Sequence, residues 1–435
     1  MWGQIRVTDQ PTGLKKAIKL RHAVALYASS VLGSGVLILP GLAAQIAGPG
    51  SIIAWVLLSL ASYPFAFTFA SLSARRPESG GVYGFAKEAF GQRIATGVGW
   101  LFALWFIAGA PAVSLIAASY LGYAFPLDRS ETFIIAFGVI VAAFLINYRG
   151  IVVSNKVQLA TIICILALLL VAIISSSFFV KLQNFTPFLP NGIVPVGTAA
   201  ALIFWSYLGY ENVSNVAEEF ENPRRDFRRS IILSVVTISI LYVMVSFVTV
   251  GTLAYEDKVS IAPFAVILSN VLGKYGAGGT ALLALFIIFG TANAYTTGMS
   301  RVIYAVSKDG GLPKMLSHIG EKTKVPDYAL MTLFGCTIPV ILTYYFLNVN
   351  LQTALLIPSG AAILVYVIGS AGGVKLFRAA AQSKSRLFGG GRATILALIS
   401  LLISSVVLLF VGWLLSVALV VLSASVIYGY FHQRK

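Results

Sequence analysis

The chain has 435 residues, of which 58% are hydrophobic and only 11% charged, and its formal net charge is +16. Soluble domains carry about 25% charged residues, so this composition, with a mean hydropathy of +0.88, excludes an ordinary soluble domain and indicates a polytopic membrane protein. The positive charge does not indicate nucleic-acid binding, because the Lys and Arg residues are scattered over many short segments instead of forming one groove.

Twelve apolar runs follow in chain order: 23–47, 52–73, 94–125, 132–147, 157–180, 193–217, 230–254, 279–305, 328–347, 351–374, 393–410 and 412–430. Most have about the 20 residues that a helix needs to cross the hydrocarbon core. Run 132–147 is short, and the last two are separate only if the chain breaks near Val411 and Gly412. In lipid every backbone polar group needs a partner, which leaves helices or a closed barrel. The runs are too long and too uniform for barrel strands. The predicted fold class is an all-α polytopic membrane protein with 12 transmembrane helices.

With the N-terminus inside and the spans alternating, 27 of the 31 Lys and Arg residues fall on the inner side; the outer segments keep Arg129, Lys181, Lys258 and Lys274. This bias predicts a multi-pass plasma-membrane protein with both termini cytoplasmic, its basic loops touching anionic lipid. The basic start before an apolar run resembles a signal peptide. That run is long and passes Pro40 without a small-residue cleavage site, so no cleavage is expected. Cys164 and Cys336 lie in separate runs and read as packing residues, not as a disulfide or a metal pair. The polar stretches 74–93, 218–229, 308–327 and 375–392 are too short to bury a core of their own.

The stretch SSVLGSGVLILP at 29–40 puts Gly33, Ser34 and Gly35 in the middle of the first run. The sixth run has a similar soft centre at Ser206–Gly209, in WSYLGYENVSN. Five spans separate the two, so matching units would insert with opposite orientation. This predicts a tail at 1–21, a core at 22–376 made of two inverted five-helix halves (22–180 and 193–376), a loop at 377–392 and two added helices in 393–435. Interrupted helices at matching positions of inverted halves point to a transporter site.

A broken helix leaves N–H groups unpaired on one half and C=O groups on the other, which is costly near the midplane unless something binds them. An amino-acid zwitterion is the natural complement. Its carboxylate can accept from the N–H groups around Ser34, Gly35 and Val36, and its ammonium can donate to the carbonyls of Ser30, Val31, Trp205 and Leu208. Helix dipoles act in the same sense, and Gly33, Gly35 and Gly209 let a ligand approach the backbone. The alternative is that the glycines serve helix packing; the Gly-x-Gly spacing does not put both on one helix face.

Glu211 is the one acidic residue read at membrane depth. A carboxylate there costs about 2.5–3.5 kcal/mol. It reads either as a proton-sensitive switch beside the site or as a protonated carboxyl bonded to a backbone carbonyl that holds the broken helix together. Trp205 flanks the break as a gate, able to close a flat ring over a small ligand, with Trp105 a further candidate. Asn293 either lines the cavity or makes an interhelical hydrogen bond. Thr291, Thr296 and Thr297 are candidate oxygen donors for sodium, although no metal site is expected. The chain lacks a Walker P-loop, a nucleophile elbow and a catalytic triad, so neither ATP-driven transport nor an enzyme is expected, and no cofactor.

These residues carry a family resemblance. GSGVLILP, RRPESGGVYGFAKEAFG at 75–91, FWSYLGYENVSNVAEEFENPRRDFRRS at 204–230 and SRVIYAVSKDGGLP at 300–313 resemble segments of the amino acid–polyamine–organocation (APC) superfamily permeases. The first and sixth helices look most like the arginine/agmatine-antiporter and neutral amino acid exporter branches. The resemblance implies a five-plus-five inverted fold with alternating access. It also implies carboxylate binding at Ser34 and Gly35, ammonium binding at carbonyls near Val31, Trp205 and Leu208, and a gating ring at Trp205. Some proton-coupled members carry a lysine midway along the fifth helix; here Ile165 falls near that position, which leaves proton coupling, ion-free exchange and facilitated diffusion open.

The expected function is a secondary permease or exporter of small neutral amino acids, with proton-linked and exchange modes both open. The alternative is an antiporter or importer of cationic amino acids or polyamines with Glu211 as counter-charge, and a receptor or scaffold is a third class. Partners are a small amino acid and membrane lipids, not nucleic acid; a monomer and a homodimer both fit.

Overall fold

The computed structural model describes residues 31–75, 81–211, 223–256, 261–382 and 390–432. The tail at 1–21, the candidate residue Ser30 and most of the loop at 377–392 therefore lie outside the described residues. Regular structure in the described part is helical: α1 Gly35–Ala47, α2 Ser51–Arg75, α3 Gly81–Phe90, α4 Gln92–Ala124, α5 Arg129–Tyr148, α6 Ile151–Ser176, α7 Val194–Ile203, α8 Pro223–Gly251, α9 Pro263–Lys308, α10 Asp327–Phe346, α11 Leu351–Gln382, α12 Gly390–Leu409 and α13 Leu415–His432.

Ten stretches among the described residues are long and apolar enough to cross a membrane. One of them, Gly35–Ser73, contains two predicted spans, separated by a 3-10 turn at Gly48–Gly50. The sixth predicted span is the shorter apolar helix Val194–Tyr207. Each of the twelve predicted runs thus contains an apolar helix among the described residues, the parts 23–30 and 212–217 of the first and sixth runs lying outside them. The outer faces carry exposed large apolar side chains, such as Leu60, Ile134, Ile163 and Leu402, as lipid contact requires.

Three boundaries differ from the sequence reading. The short fourth span is a full helix, because Asp128 and Glu131 form a capping box: the Asp128 carboxylate accepts from the Glu131 N–H at 2.7 Å, and Glu131 accepts from the Asp128 N–H at 2.8 Å. These charges seal the helix end and do not shorten the span. The eighth span extends back to Pro263 through a kink at Gly273, where φ is 57°, so a helical segment occupies what reads as loop. The tenth runs on to Gln382, shortening the predicted loop at 377–392. The break between the last two spans is present, with Gly412 at φ 70° opening a 3-10 turn.

Helix α4 is the hub, packing against α3, α5, α9, α10, α11 and α13. The two interrupted regions meet beside it, α1 lying on α7, α8 and α9, and α7 also on α2 and α11. Helix α12 packs on α11 and α2, and α13 on α4, so the added helices brace the core. Cys164 and Cys336 are unpaired, and Cys336 is exposed on α10.

Helices α6 and α9 touch where Gly290 faces Thr161: a β-carbon on Gly290 would lie 1.7 Å from the Thr161 hydroxyl. Gly290→Ala is expected to destabilise by about 1–3 kcal/mol through overpacking, read as a lower melting temperature of the detergent-solubilised protein. Adding Thr161→Ala should restore most of the loss, as contacting sites couple.

Candidate functional site

The chain before α1 is not continuous with it. Leu32, Gly33 and Ser34 form a bend, and Ser34 stands at the N-cap without capping through its side chain. The first-turn N–H groups of Gly35 and Val36 have no helical acceptor. The second break follows α7: Phe204–Tyr207 tighten into a 3-10 turn, Leu208 is extended, and Gly209 has φ 120°. Only glycine adopts that last conformation without strain, and it turns the chain so that Tyr210 and Glu211 point back into the protein, both buried.

The two breaks are in contact. A β-carbon on Gly35 would lie 2.7 Å from the Ser206 hydroxyl and 2.9 Å from the Trp205 ring, so glycine is required for the approach. Tyr242 of α8 ties them together: its hydroxyl lies 3.0 Å from the Val31 carbonyl and 2.8 Å from the Ser206 carbonyl. One proton serves two acceptors there. The Val31 carbonyl also accepts from the Gly33 N–H at 2.9 Å, and the Trp205 carbonyl accepts a 3.4 Å bond from the Leu208 N–H. The hydroxyls of Ser34 and Ser206 and the indole N–H of Trp105 are buried without a hydrogen-bond partner. Buried polar groups are almost always satisfied, so three such groups around one junction are unusual.

Trp205 sits beside that junction in an aromatic group. Its ring stacks on Tyr295 of α9 (6.3 Å, 22°) and meets Trp105 of α4 edge-on (6.2 Å, 76°). A cavity of about 20 Å³ opens between them, lined by Trp105, Gly109, Val113, Trp205, Ala292 and Tyr295 among others, with no charged side chain. That space is large enough for one water molecule, with the Trp205 ring forming part of its wall.

Glu211 does not line this cavity. Its carboxyl accepts from the Gly209 N–H at 2.9 Å and from the hydroxyl of Tyr366 on α11, which holds the turned chain against α11. Asn293 faces α5, bonded at 2.7 Å to Asn147, whose amide also reaches the Asn293 carbonyl at 3.0 Å; its neighbour Ala292 lines the cavity instead. Thr291 abuts Gly33, and Thr291 and Thr296 donate to carbonyls one turn back on α9. Thr297 bonds the Asn293 carbonyl and Asn147. Ile165 on α6 is fully buried.

Thus Val31, Gly33, Ser34, Gly35, Trp205, Leu208 and Gly209 are brought together, with Trp105 on the cavity wall, while Asn293 and Glu211 stand outside it. Tyr242, Tyr295 and Tyr366 were not found from sequence. Each is a single tyrosine inside an apolar run, and only Tyr295, beside Asn293, carried a signal.

A family model described as amino acid permease matches residues 18–431. The chain belongs to the amino acid permease family. It is 32% identical to the amino acid permease YecA of Bacillus subtilis (strain 168), over 97% of this chain and 96% of that protein. It is 29% identical to the L-methionine/branched-chain amino acid exporter YjeH of Escherichia coli (strain K12), over 95% and 96% respectively. Identity to the branched-chain amino acid permease BcaP of Bacillus subtilis is 28%, over 83% of each chain. These relatives are transporters, which fits the lack of enzyme motifs in this permease.

Removing the Tyr366 hydroxyl takes away the side-chain donor of Glu211 and leaves it the Gly209 N–H. Tyr366→Phe is expected to cost about 1.5–3 kcal/mol, the worth of a hydrogen bond to a charged group, seen as a drop in melting temperature. In a Glu211→Gln background the same change should cost less, and a strictly additive pair would refute the coupling.

Proposed function

We propose that this permease moves small neutral amino acids with apolar side chains across the plasma membrane by alternating access. In this reading both termini are cytoplasmic, and two inverted halves at 22–180 and 193–376 rock about the junction of the two breaks. The zwitterion's carboxylate takes the N–H groups of Gly35 and Val36 and the Ser34 hydroxyl. Its ammonium takes carbonyls of Val31, Trp205 and Leu208, and its side chain takes the cavity once Trp205 swings aside. Trp205 then serves as the gate.

The observation that carries the reading is the pairing of unpartnered polar groups with an uncharged cavity: Ser34, Ser206 and Trp105 lack partners, and the lining beside them carries no charge. A cationic side chain would find no counter-charge there, because Glu211 is engaged by Tyr366 and the Gly209 N–H. The names of the relatives for methionine and branched-chain amino acids lean the same way.

The test is counterflow in proteoliposomes with labelled leucine, methionine, arginine and putrescine, alongside thermal stabilisation by each compound. Leucine and methionine should exchange and stabilise, while arginine and putrescine should do neither; the reverse pattern would support the cationic reading. Affinity should rise from alanine to valine to leucine, each added carbon worth about 0.8 kcal/mol or roughly fourfold. Gly35→Ala, whose β-carbon would strike Ser206 and Trp205, should abolish both counterflow and substrate stabilisation while the protein still purifies as a monodisperse peak.

A further inference from the structure

Helices α5 and α10 pack against each other at the periphery of the bundle, and a groove of about 320 Å³ opens between them. That is the size of a small-ligand site, about 300–1,000 Å³. Ile134 and Phe137 line it from α5, and Ile338 and Leu342 from α10. The members of each pair are three or four residues apart and so share a helix face. Ile134, Phe137 and Leu342 are exposed. Gly335 stands one turn further along the same face of α10, and a β-carbon on it would meet nothing within 4 Å, so the space stays open there. From Tyr345 to Gly335 is about 15 Å of helix, half of the roughly 30 Å hydrocarbon core. The groove is therefore one leaflet deep, and in the proposed topology that leaflet is the outer one.

Its mouth is polar and charged. Ser130 and Tyr345 close the top, their hydroxyls 3.0 Å apart. Arg129 lies over the rings of Phe133 and Tyr345, at 5.7 and 5.0 Å from their centroids, and donates to the Tyr345 carbonyl. These contacts hold the guanidinium at the mouth. It carries five N–H donors, and among the described residues no carboxylate lies within ion-pair distance of it. Glu131 stands on the other flank, one turn before Ile134. Its carboxylate and that of Asp128 each take one backbone N–H in the capping box. A carboxylate has about four acceptor positions, so both keep capacity for another donor.

Lipid surrounds such a groove, and an acyl chain suits its apolar walls. The mouth then selects the head group. A lone phosphate meets two carboxylates against one guanidinium, and a lone cation meets the guanidinium. A head group with one charge of each sign satisfies both flanks. Its cation needs N–H groups, because ionised carboxylates only accept, and a trimethylated ammonium has none to give.

We propose that the groove between α5 and α10 is a site for a phospholipid whose head group carries a phosphate and a primary ammonium. The acyl chain lies between Ile134, Phe137 and Leu342, the phosphate on Arg129 and Ser130, and the ammonium on Glu131 and Asp128. The bound lipid bridges two helices whose outer ends are poorly covered. Helix α5 is in turn joined to α9 through Asn147 and Asn293, so occupancy steadies the frame beside the breaks without entering the substrate site.

The experiment uses the delipidated full chain in detergent. Phosphatidylethanolamine, phosphatidylcholine and phosphatidylglycerol with identical acyl chains are titrated in turn, native mass spectrometry counting the lipids retained. Phosphatidylethanolamine should bind one per chain, about tenfold more tightly than the other two, as the loss of one charge-assisted hydrogen bond dictates. Arg129→Gln should weaken all three lipids. Leu342→Trp, which fills the groove, should do the same. Glu131→Gln keeps the capping box, since glutamine serves at that position, and should bring phosphatidylglycerol level with phosphatidylethanolamine. Melting temperatures of the lipid-free variants report that they fold. Equal affinity of the wild type for the three lipids, or an unchanged preference in Glu131→Gln, would overturn the proposal. A stable dimer that Leu342→Trp disrupts would assign the groove to a second copy of the chain and overturn it as well. None of these outcomes depends on which substrate is carried.

Discussion

The architecture depends on one constraint: backbone groups freed by two helix breaks have to find partners inside a protein surrounded by lipid. Water is scarce at that depth, and an unpaired amide in an apolar medium is expensive. The fold answers by bringing the breaks against each other at Gly35 and Ser206 and placing the Tyr242 hydroxyl between the carbonyls of Val31 and Ser206. The settlement is incomplete, since one proton faces two acceptors and the Ser34 and Ser206 hydroxyls stay unpartnered.

The surroundings keep that junction dry on one side and polar on the other. Trp105, Trp205 and Tyr295 enclose the apolar cavity towards α4 and α9, whereas Ser59, Tyr207 and Tyr242 form a hydroxyl-rich wall towards α2 and α8. Trp205 belongs to the dry side and the adjacent Ser206 to the polar one, so a rotation of the 3-10 turn at Phe204–Tyr207 would move both together. Asn147, Asn293 and Thr297 form a separate polar knot that joins α5 to α9 and stiffens the frame against which the breaks would move.

The spans were legible because lipid imposes length and hydropathy on every one of them, and the breaks were legible because Gly33-Ser-Gly35 and Leu208-Gly209 have no business in a continuous apolar helix. The capping box at Asp128 and Glu131 was also written in the sequence, but a charge count trims the helix at the point where these residues seal it. The tyrosines were not legible. Tyr242 and Tyr366 are lone polar tips in runs of Leu, Val and Ile, and their targets are a carbonyl and a carboxyl more than 100 residues away. Hydropathy cannot distinguish a tyrosine that faces lipid from one that staples a core. Asn293 shows the opposite case: its polarity was visible, but its partner Asn147 on α5 was not.

The tie at Tyr242 bears on how such a site changes state. It holds the Val31 and Ser206 carbonyls, and Val31 is one of those that a substrate ammonium is proposed to take, so ligand and tyrosine compete for the same oxygen. A charged donor makes the stronger hydrogen bond, and Tyr242 can keep Ser206 when it yields Val31. An arriving ammonium would therefore uncouple the breaks without stranding either donor, converting a bond between two parts of the protein into one between each part and the ligand. Only an interaction that differs between two states can shift their balance. In the proposed binding mode this exchange of partners would supply such a difference, and it would require no charged side chain in the pocket.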